Sequence, residues 1–174
     1  GISTDHECMD LDEALEKIEH NIKIQIREGS AAKNFNDLIE LAKTHSDKIM
    51  FCSDDKHPDD LLKGHLNLLF KRALENRINP IIAAKILSFN PIKHYSLNVG
   101  LLQKGDPADF IVFDNFDNFN INATYINGEK VAQDGVSNIK SVKNIDCPNS
   151  FNVLPIDDTD IKVNAKSDYI KVIE

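Results

Sequence analysis

Two short apolar stretches with a helical pattern between them constrain the fold of this chain most strongly. In residues 22–28, IKIQIRE, three isoleucines alternate with polar residues as they do in a strand. Residues 34–48, NFNDLIELAKTHSDK, begin at Asn34, a good helix cap, and carry apolar residues on one side. The apolar run IMFC at 49–52 then predicts a buried strand. Because a parallel crossover needs a helix, this order predicts parallel β/α units.

Helical patterns flank these units. Asp10 and Glu13 have the spacing of a capped helix start, with apolar residues recurring behind them. After the second strand, residues 59–76 show one long helical pattern and residues 80–89 a shorter one. The dipeptide Asn90-Pro91 is expected to stop the last helix, because the residue before a proline is biased away from helical dihedrals.

The pattern changes to mostly β near residues 97–100. FIVFD at 110–114 predicts a strand, and Asn127-Gly128 between alternating runs predicts a hairpin. The tail from residue 146 holds further short strand-like runs. We therefore expect an α/β chain of two parts, a β/α part at 1–97 and a β-rich part at 98–174.

The composition of the chain limits the classes of binding partner and metal site that are expected. The chain has 28 acidic against 20 basic side chains and a formal charge of -8, which disfavours binding to nucleic acid. No apolar run approaches the roughly 20 residues of a membrane helix, so no membrane segment is expected. The three cysteines form no C-x-x-C pair, which argues against a zinc ribbon and against cytidine-type zinc deaminases. Few, unpaired cysteines predict a reducing, cytoplasmic location.

Residues able to carry chemistry follow both predicted strands. REGS at 27–30 follows the first strand and SDDKH at 53–57 the second, the position that carries function in β/α barrels. Asp54 and Asp55 suit hard-metal binding or proton transfer, although acids after a strand are often helix caps or solvated loops. His6 is by itself either a solvated residue or one ligand of a metal site.

These clusters in this order resemble the adenine deaminases of the amidohydrolase superfamily. The matching stretches are GISTDHE, IREGSAAKN, CSDDKHPDDLLKGH, NPIKHYSLNVGLLQKGDPADFIVFD and TYINGEKVA, which cover most of residues 1–132. The resemblance implies the last part of a TIM-like (β/α)8 metal-dependent hydrolase barrel, strands 6–8, followed by strands of a small β-sandwich domain. It also implies hydrolytic conversion of adenine to hypoxanthine and ammonia.

Site residues follow from the resemblance by position. His6 matches a metal ligand at the end of the sixth barrel strand. Asp54 matches the aspartate that binds metal and accepts a proton from the attacking water, with Asp55 close behind as the alternative catalytic acid. The expected purine-contacting residues are Arg27, Glu28, Ser30 and His57. Imidazole and carboxylate ligands suit a divalent metal, Mn²⁺ or Fe²⁺ in first place and Zn²⁺ as an alternative.

The chain departs from the family pattern at its beginning. It contains no H-x-H pair and carries at most two of the expected protein ligands, whereas a catalytic zinc normally has three. We therefore expect a fragment that needs the rest of its enzyme and is inactive alone, within a homo-oligomer. Two alternatives remain: another amidohydrolase acting on cyclic amides or N-acetyl sugars, and a non-catalytic assembly module. Substrate assays separate the first from adenine deaminase, and metal analysis separates the second.

Overall fold

A three-stranded parallel sheet forms the first part of the chain. The computed structural model describes residues 1–142, 150–165 and 167–169. The strands are β1 (Thr4–Asp5), β2 (Lys23–Arg27) and β3 (Ile49–Cys52), in the order β1-β2-β3. Their register runs from Thr4↔Lys23 to Arg27↔Cys52. The parallel β/α arrangement predicted from the sequence is confirmed, and it brings the carboxyl ends of all three strands to one edge.

The two faces of this sheet differ. Ile24 and Ile26 of β2 lie in register with Ile49 and Phe51 of β3, and these side chains face the helices in the hydrophobic core. Because successive side chains point to opposite faces, Arg27 ends β2 on the other face. Burial on the helix side stabilises the sheet, while the second face carries polar residues to the carboxyl edge.

The helix before β2 begins as the sequence predicts. Helix α1 spans Leu11–Glu19, and the Asp10 side chain accepts a hydrogen bond from the Glu13 N–H at 2.9 Å. Residues 34–48, predicted as one helix, form two short ones instead, α2 (Phe35–Leu38) and α3 (Leu41–Thr44). Asn34 precedes α2, but its side chain does not cap the helix because it bonds elsewhere.

The long helix predicted at 59–76 is also divided. Helix α4 spans Pro58–Leu61 and α5 spans Leu66–Glu75. Between them Gly64 has φ +143°, a dihedral that a residue with a Cβ rarely adopts and that no helix contains. The apolar spacing of the two helices continues across this break, which is why the pattern read as one helix.

Asn90-Pro91 does not stop the last helix of this part, so that prediction is wrong. Helix α6 (Pro80–Ala84) continues through a π-helical segment, Lys85–Phe89, into α7 (Asn90–Tyr95). The Asn90 N–H bonds to the Lys85 carbonyl, a wider i→i−5 turn. A π turn re-spaces the carbonyls ahead of Pro91, whose ring clashes with the i−4 carbonyl of a regular α-helix. Ser96, at φ 52°, ends the helix.

An antiparallel sheet follows. Its strands are β4 (Phe110–Phe113), β5 (Ile121–Ile126), β6 (Glu129–Gln133) and β7 (Val136–Ser137), paired in sequence order. The predicted hairpin at Asn127-Gly128 is confirmed, with φ of 50° and 79° at the two residues, as a tight hairpin turn requires. Phe119, between β4 and β5, packs against Phe70 of α5, with the ring centroids 4.2 Å apart and the ring planes tilted by 37°.

Contacts divide the chain into two units, Gly1–Ile139 and Lys140–Glu174. The first contains both sheets, and the division predicted at residue 97 stays a prediction. In the second unit, helix α8 spans Asp158–Ile161 and is capped by Asp157. Residues 150–165 and 167–169 contain no strand, so the tail strands predicted there are wrong; the others fall outside the described residues. No helix in the described part of the chain is long and apolar enough to cross a membrane.

Candidate functional site

Four side chains meet at the carboxyl edge of the parallel sheet, and we call them the strand-end cluster: His6, Glu7, Arg27 and Asp54. His6 follows β1, Arg27 ends β2 and Asp54 comes two residues after β3. The His6 Nε2 atom lies 3.7 Å from Asp54 Oδ1 and 3.2 Å from Glu7 Oε1. The two residues predicted as metal ligands, His6 and Asp54, therefore lie close together where the parallel strands end.

Arg27 organises the cluster. Its side chain is 8% exposed, and its Nη1 and Nη2 donate to the two oxygens of Glu7, each at 2.9 Å. Nη1 also donates to Asp54 Oδ2 at 3.0 Å. Burial alone would lower the pKa of Arg27, but the hydrogen bonds and charges of Glu7 and Asp54 outweigh it and raise that pKa. The guanidinium is thus a fixed cation that donates a hydrogen bond to Oδ2 of Asp54, while Oδ1 of Asp54 faces His6.

The turn after β3 aims Asp54 into the cluster. Asp54 has φ 48°, in the left-handed region, and its carbonyl accepts a hydrogen bond from the Lys56 N–H at 2.9 Å. Residues with a side chain occupy this region uncommonly, and Asp is one of those that tolerate it. Asp54 is 29% exposed at its side chain, so one face of the carboxylate remains open.

Asp55 points to a different neighbour. Its Oδ1 accepts a hydrogen bond from the Ser30 N–H at 3.2 Å. Ser30 Oγ donates to Asp60 at 2.6 Å and accepts from the His57 N–H at 2.9 Å. These bonds tie the loop after β2 to the loop after β3, and they bring Ser30, Asp55 and His57 together beside the strand-end cluster.

Glu28 is held by a helix. Its Oε2 lies 2.8 Å from Nη1 of Arg72 in α5, and its side chain is 12% exposed. The Arg72 guanidinium in turn lies over the ring of Phe35, 4.2 Å from its centroid. Although they are neighbours in the sequence, Arg27 and Glu28 each pair with residues of other segments, Arg27 with Glu7 and Asp54 and Glu28 with Arg72.

Two residues with contacts in this region were not singled out from the sequence as site residues. Glu7 holds Arg27 through a forked pair of hydrogen bonds. Asn34 is 1% exposed; its Oδ1 accepts from the Arg27 N–H at 2.8 Å, and its Nδ2 donates to the carbonyls of His6 and Cys8. Asn34 lies at the end of the stretch REGSAAKN, which follows β2, but its place before a helical pattern predicted a helix cap.

The donor atoms fit part of a divalent-metal site. Ligands about 2.1 Å from a metal at the tetrahedral angle are about 3.4 Å apart, close to the 3.7 Å between His6 Nε2 and Asp54 Oδ1. Burial first, then the charge of Asp54, raises the pKa of Cys52 to about 11, so this thiol stays protonated. Among residues 1–142, 150–165 and 167–169, no three His, Cys, Asp or Glu side chains form a group that could hold a metal ion. The described residues thus place one imidazole nitrogen and one carboxylate oxygen at a separation that a shared metal ion would allow.

Two curated relatives that match almost the whole of this chain are adenine deaminases. A curated adenine deaminase of Salinibacter ruber is 47% identical over 99% of this chain, and one of Borreliella burgdorferi is 46% identical over 100% of it. The chain spans 32% of the length of each of these relatives.

Solved structures agree on the fold. A β-aspartyl dipeptidase of Fervidobacterium islandicum has a TM-score of 0.61 at 24% identity and matches 75% of this chain and 36% of its own. The family model of the amidohydrolase family matches residues 2–131, and it therefore includes all four members of the strand-end cluster. The chain belongs to the amidohydrolase family.

Proposed function

We propose that this chain is the carboxyl-terminal part of a metal-dependent adenine deaminase, which converts adenine and water to hypoxanthine and ammonia. The observation that carries the proposal is the 47% identity to an adenine deaminase over 99% of the chain. The strand-end cluster supports it, because imidazole and carboxylate side chains lie together where the proposal needs metal ligands and a base. The full-length protein is called the parent enzyme.

The architecture of the parent enzyme follows from this proposal. Strands β1, β2 and β3 are its sixth, seventh and eighth barrel strands, and β4–β7 belong to a small β-sandwich domain beside the barrel. The remaining barrel strands come from the part of the parent enzyme outside this chain, and they would pair with the free edges of β1 and β3. We also propose that the parent enzyme is a cytoplasmic homo-oligomer.

His6 and Asp54 are the proposed metal ligands in this chain. Mn²⁺ or Fe²⁺ is the proposed ion, with Zn²⁺ as an alternative, since the donors are nitrogen and oxygen. Such an ion, when bound, would lower the pKa of a coordinated water molecule and so make it a better nucleophile. Geometry favours Asp54 over Asp55 for this role, because Asp54 Oδ1 faces His6 whereas Asp55 Oδ1 accepts from the Ser30 N–H.

Proton transfer is the proposed chemical role of Asp54. Water adds to C6 of adenine, and the amino group leaves as ammonia. The carboxylate of Asp54 takes a proton from the attacking water and passes it to the departing nitrogen. Oδ1 faces His6 and is the oxygen proposed to bind the metal ion, so the transfer is proposed for Oδ2, which also accepts a hydrogen bond from Arg27 Nη1 at 3.0 Å.

The loops beside the cluster are the proposed purine site. Arg27, Glu28, Ser30 and His57 are the residues proposed to contact the base or to shape its pocket. The contacts that link Ser30 to Asp60 and His57 support a loop whose shape is set before substrate binds. Arg72 holds the Glu28 carboxylate and so restricts where it can reach.

The test uses the parent enzyme with Asp54→Asn and, as the matched variant, Asp55→Asn. Asp54→Asn is expected to abolish ammonia release from adenine while the far-ultraviolet circular dichroism is unchanged, because an amide cannot accept the proton. Asp55→Asn is expected to keep measurable turnover. Near-normal turnover of Asp54→Asn would contradict the proton-transfer role, and its loss only in Asp55→Asn would move that role to Asp55.

Substrate identity is tested with the unmodified parent enzyme. We expect ammonia release from adenine and no hydrolysis of dihydroorotate or N-acetylglucosamine 6-phosphate. An enzyme that hydrolyses one of these compounds and leaves adenine intact would contradict the proposed function.

A further inference from the structure

Asn34 is a polar side chain buried at the centre of the strand ends. It is 1% exposed, and its amide makes three hydrogen bonds. Oδ1 accepts from the Arg27 N–H at 2.8 Å, while Nδ2 donates to the His6 carbonyl at 3.2 Å and to the Cys8 carbonyl at 3.1 Å. A buried amide satisfied in this way links its partners rigidly, because breaking any bond leaves a buried polar group unpaired.

The segment after β1 needs such a link. The ladder between β1 and β2 ends at the pair Asp5↔Ile24, one residue before His6. Oδ2 of Asp5 accepts from the N–H groups of Glu7 and Cys8, which shapes the turn locally but does not join it to β2. The two bonds from Asn34 to the carbonyls of His6 and Cys8 fix the backbone of this segment against β2, in addition to the side-chain bonds between Glu7 and Arg27.

The Asn34 amide also binds Arg27, the last residue of β2, and Arg27 contacts Asp54 after β3. The Arg27 backbone bonds to Asn34, and the Arg27 side chain bonds to Asp54. One amide therefore fixes the backbone of His6 against the backbone of Arg27, and Arg27 carries that constraint to Asp54.

We propose that Asn34 is a positioning residue that holds His6 and Arg27 in register, so that His6 Nε2 and Asp54 Oδ1 can bind one metal ion together. The inference rests on the metal site of the proposed function. Groups that orient metal ligands typically change metal affinity or activity by about 10- to 100-fold when they are removed.

Asn90 offers a matched control within the chain. It is 4% exposed, and its Nδ2 donates to the carbonyls of Ser46 and Ile49 at 2.7 and 2.8 Å. The chemistry and burial thus resemble those of Asn34. Its bonds lie at the amino end of β3, however, at the edge of the sheet opposite Asp54. Loss of the Asn90 amide should cost stability without disturbing the metal ligands.

The experiment compares Asn34→Ala and Asn90→Ala in the parent enzyme. The readouts are the midpoint of thermal unfolding, the affinity for Mn²⁺ from the electron paramagnetic resonance signal of the free ion, and kcat and KM for adenine. We expect both variants to melt at lower temperature. Only Asn34→Ala should bind Mn²⁺ about 10- to 100-fold more weakly and lose kcat with little change in KM. Added Mn²⁺ should restore part of its kcat.

Equal Mn²⁺ affinity in the two variants, with activity that follows thermal stability alone, would overturn the proposal. If Asn34→Ala does not fold, Asn34→Ser leaves a smaller cavity and cannot span all three partners, so it should show the same weaker Mn²⁺ binding; normal binding in that variant also overturns the proposal. Because Mn²⁺ binding is measured without substrate, it tests Asn34 even if the parent enzyme does not deaminate adenine.

Discussion

Asp5 accepts hydrogen bonds from four donors on the helix side of β1. Its Oδ2 accepts from the N–H groups of Glu7 and Cys8, from the Cys8 thiol at 3.0 Å and from Lys17 Nζ at 3.0 Å. Burial alone would raise the pKa of Asp5, but the bonds from Cys8 and Lys17 and the charge of Lys17 outweigh it and lower that pKa. At this position the negative charge stabilises the turn that carries His6.

Replacing Asp5 with Asn should therefore destabilise the parent enzyme. We expect a loss of about 1–3 kcal/mol at neutral pH, because an amide accepts fewer of these bonds and does not attract Lys17. The folded pKa is lowered, so the contribution is fully present above the ordinary value of 3.8 and is lost as pH falls through the lowered value. Thermal unfolding at pH 7, 5 and below 3.8 measures both effects.

The exposed Asp47 is the control for this prediction. Asp47→Asn should leave the unfolding midpoint nearly unchanged at every pH, since surface substitutions away from special features cost little. A gap between wild type and Asp5→Asn that stays constant well below pH 3.8 would show that the loss arises from something other than the ionised carboxylate.

Individual residues of the cluster differ in how far they could be predicted. His6 and Asp54 were assigned as metal ligands from the family resemblance, and in the structure His6 Nε2 and Asp54 Oδ1 lie 3.7 Å apart at the strand ends. Glu7 and Asn34 could not be assigned from the pattern, because their contacts depend on where each side chain turns. An Asn before a helix is usually its cap, and here the amide serves the strand ends instead.

Two glycines set the geometry of the elements on either side of α4–α7. A Cβ on Gly29 would lie 1.9 Å from Asp55 Oδ1, whereas a Cβ on Gly100 would lie 2.0 Å from the Pro107 carbonyl oxygen. The first neighbour is the end of a side chain that can rotate away. The second is backbone, which can move only if the loop before β4 moves.

This contrast predicts two different outcomes for Ala substitutions in the parent enzyme. Gly29→Ala should turn Asp55 away from the Ser30 N–H and reduce kcat/KM for adenine, with a small change in the thermal midpoint. Gly100→Ala should cost about 1–3 kcal/mol through strain, with kcat/KM close to wild type at temperatures below unfolding. Unfolding scans and steady-state assays measure both. The opposite pattern would contradict this separation of site loop and scaffold.

Elements were predicted well where local chemistry decides them and poorly where a few residues override a continuous pattern. The hairpin at Asn127-Gly128 and the cap at Asp10 depend on neighbouring residues only, and both are confirmed. The break at Gly64 lies inside an unbroken apolar spacing. The π turn before Pro91 absorbs a proline that would end an ordinary helix, so the helix continues to Tyr95.

At the scale of the whole molecule, the parallel sheet has two unpaired edges among the described residues. Within the described residues, β1 and β3 each pair only with β2, so both edges of the parallel sheet are unpaired there. Unpaired edges expose backbone donors and acceptors that favour pairing with further strands. Among these described residues, no three His, Cys, Asp or Glu side chains form a group that could hold a metal ion, whereas a catalytic zinc normally has three protein ligands. The two open edges agree with the fragment expected from the missing H-x-H pair.

We therefore expect residues 1–174 alone to release no ammonia from adenine and to bind Mn²⁺ far more weakly than the parent enzyme. Co-expression with the remaining part of the parent enzyme as a separate chain should restore Mn²⁺ binding and measurable turnover, because strand pairing at β1 and β3 would bring the other ligands to His6 and Asp54. Co-purification, Mn²⁺ content and ammonia release are the measurements. In the co-expressed pair, Asp54→Asn should remove the restored turnover. Full Mn²⁺ binding and turnover by residues 1–174 alone would show that these residues already contain a complete site.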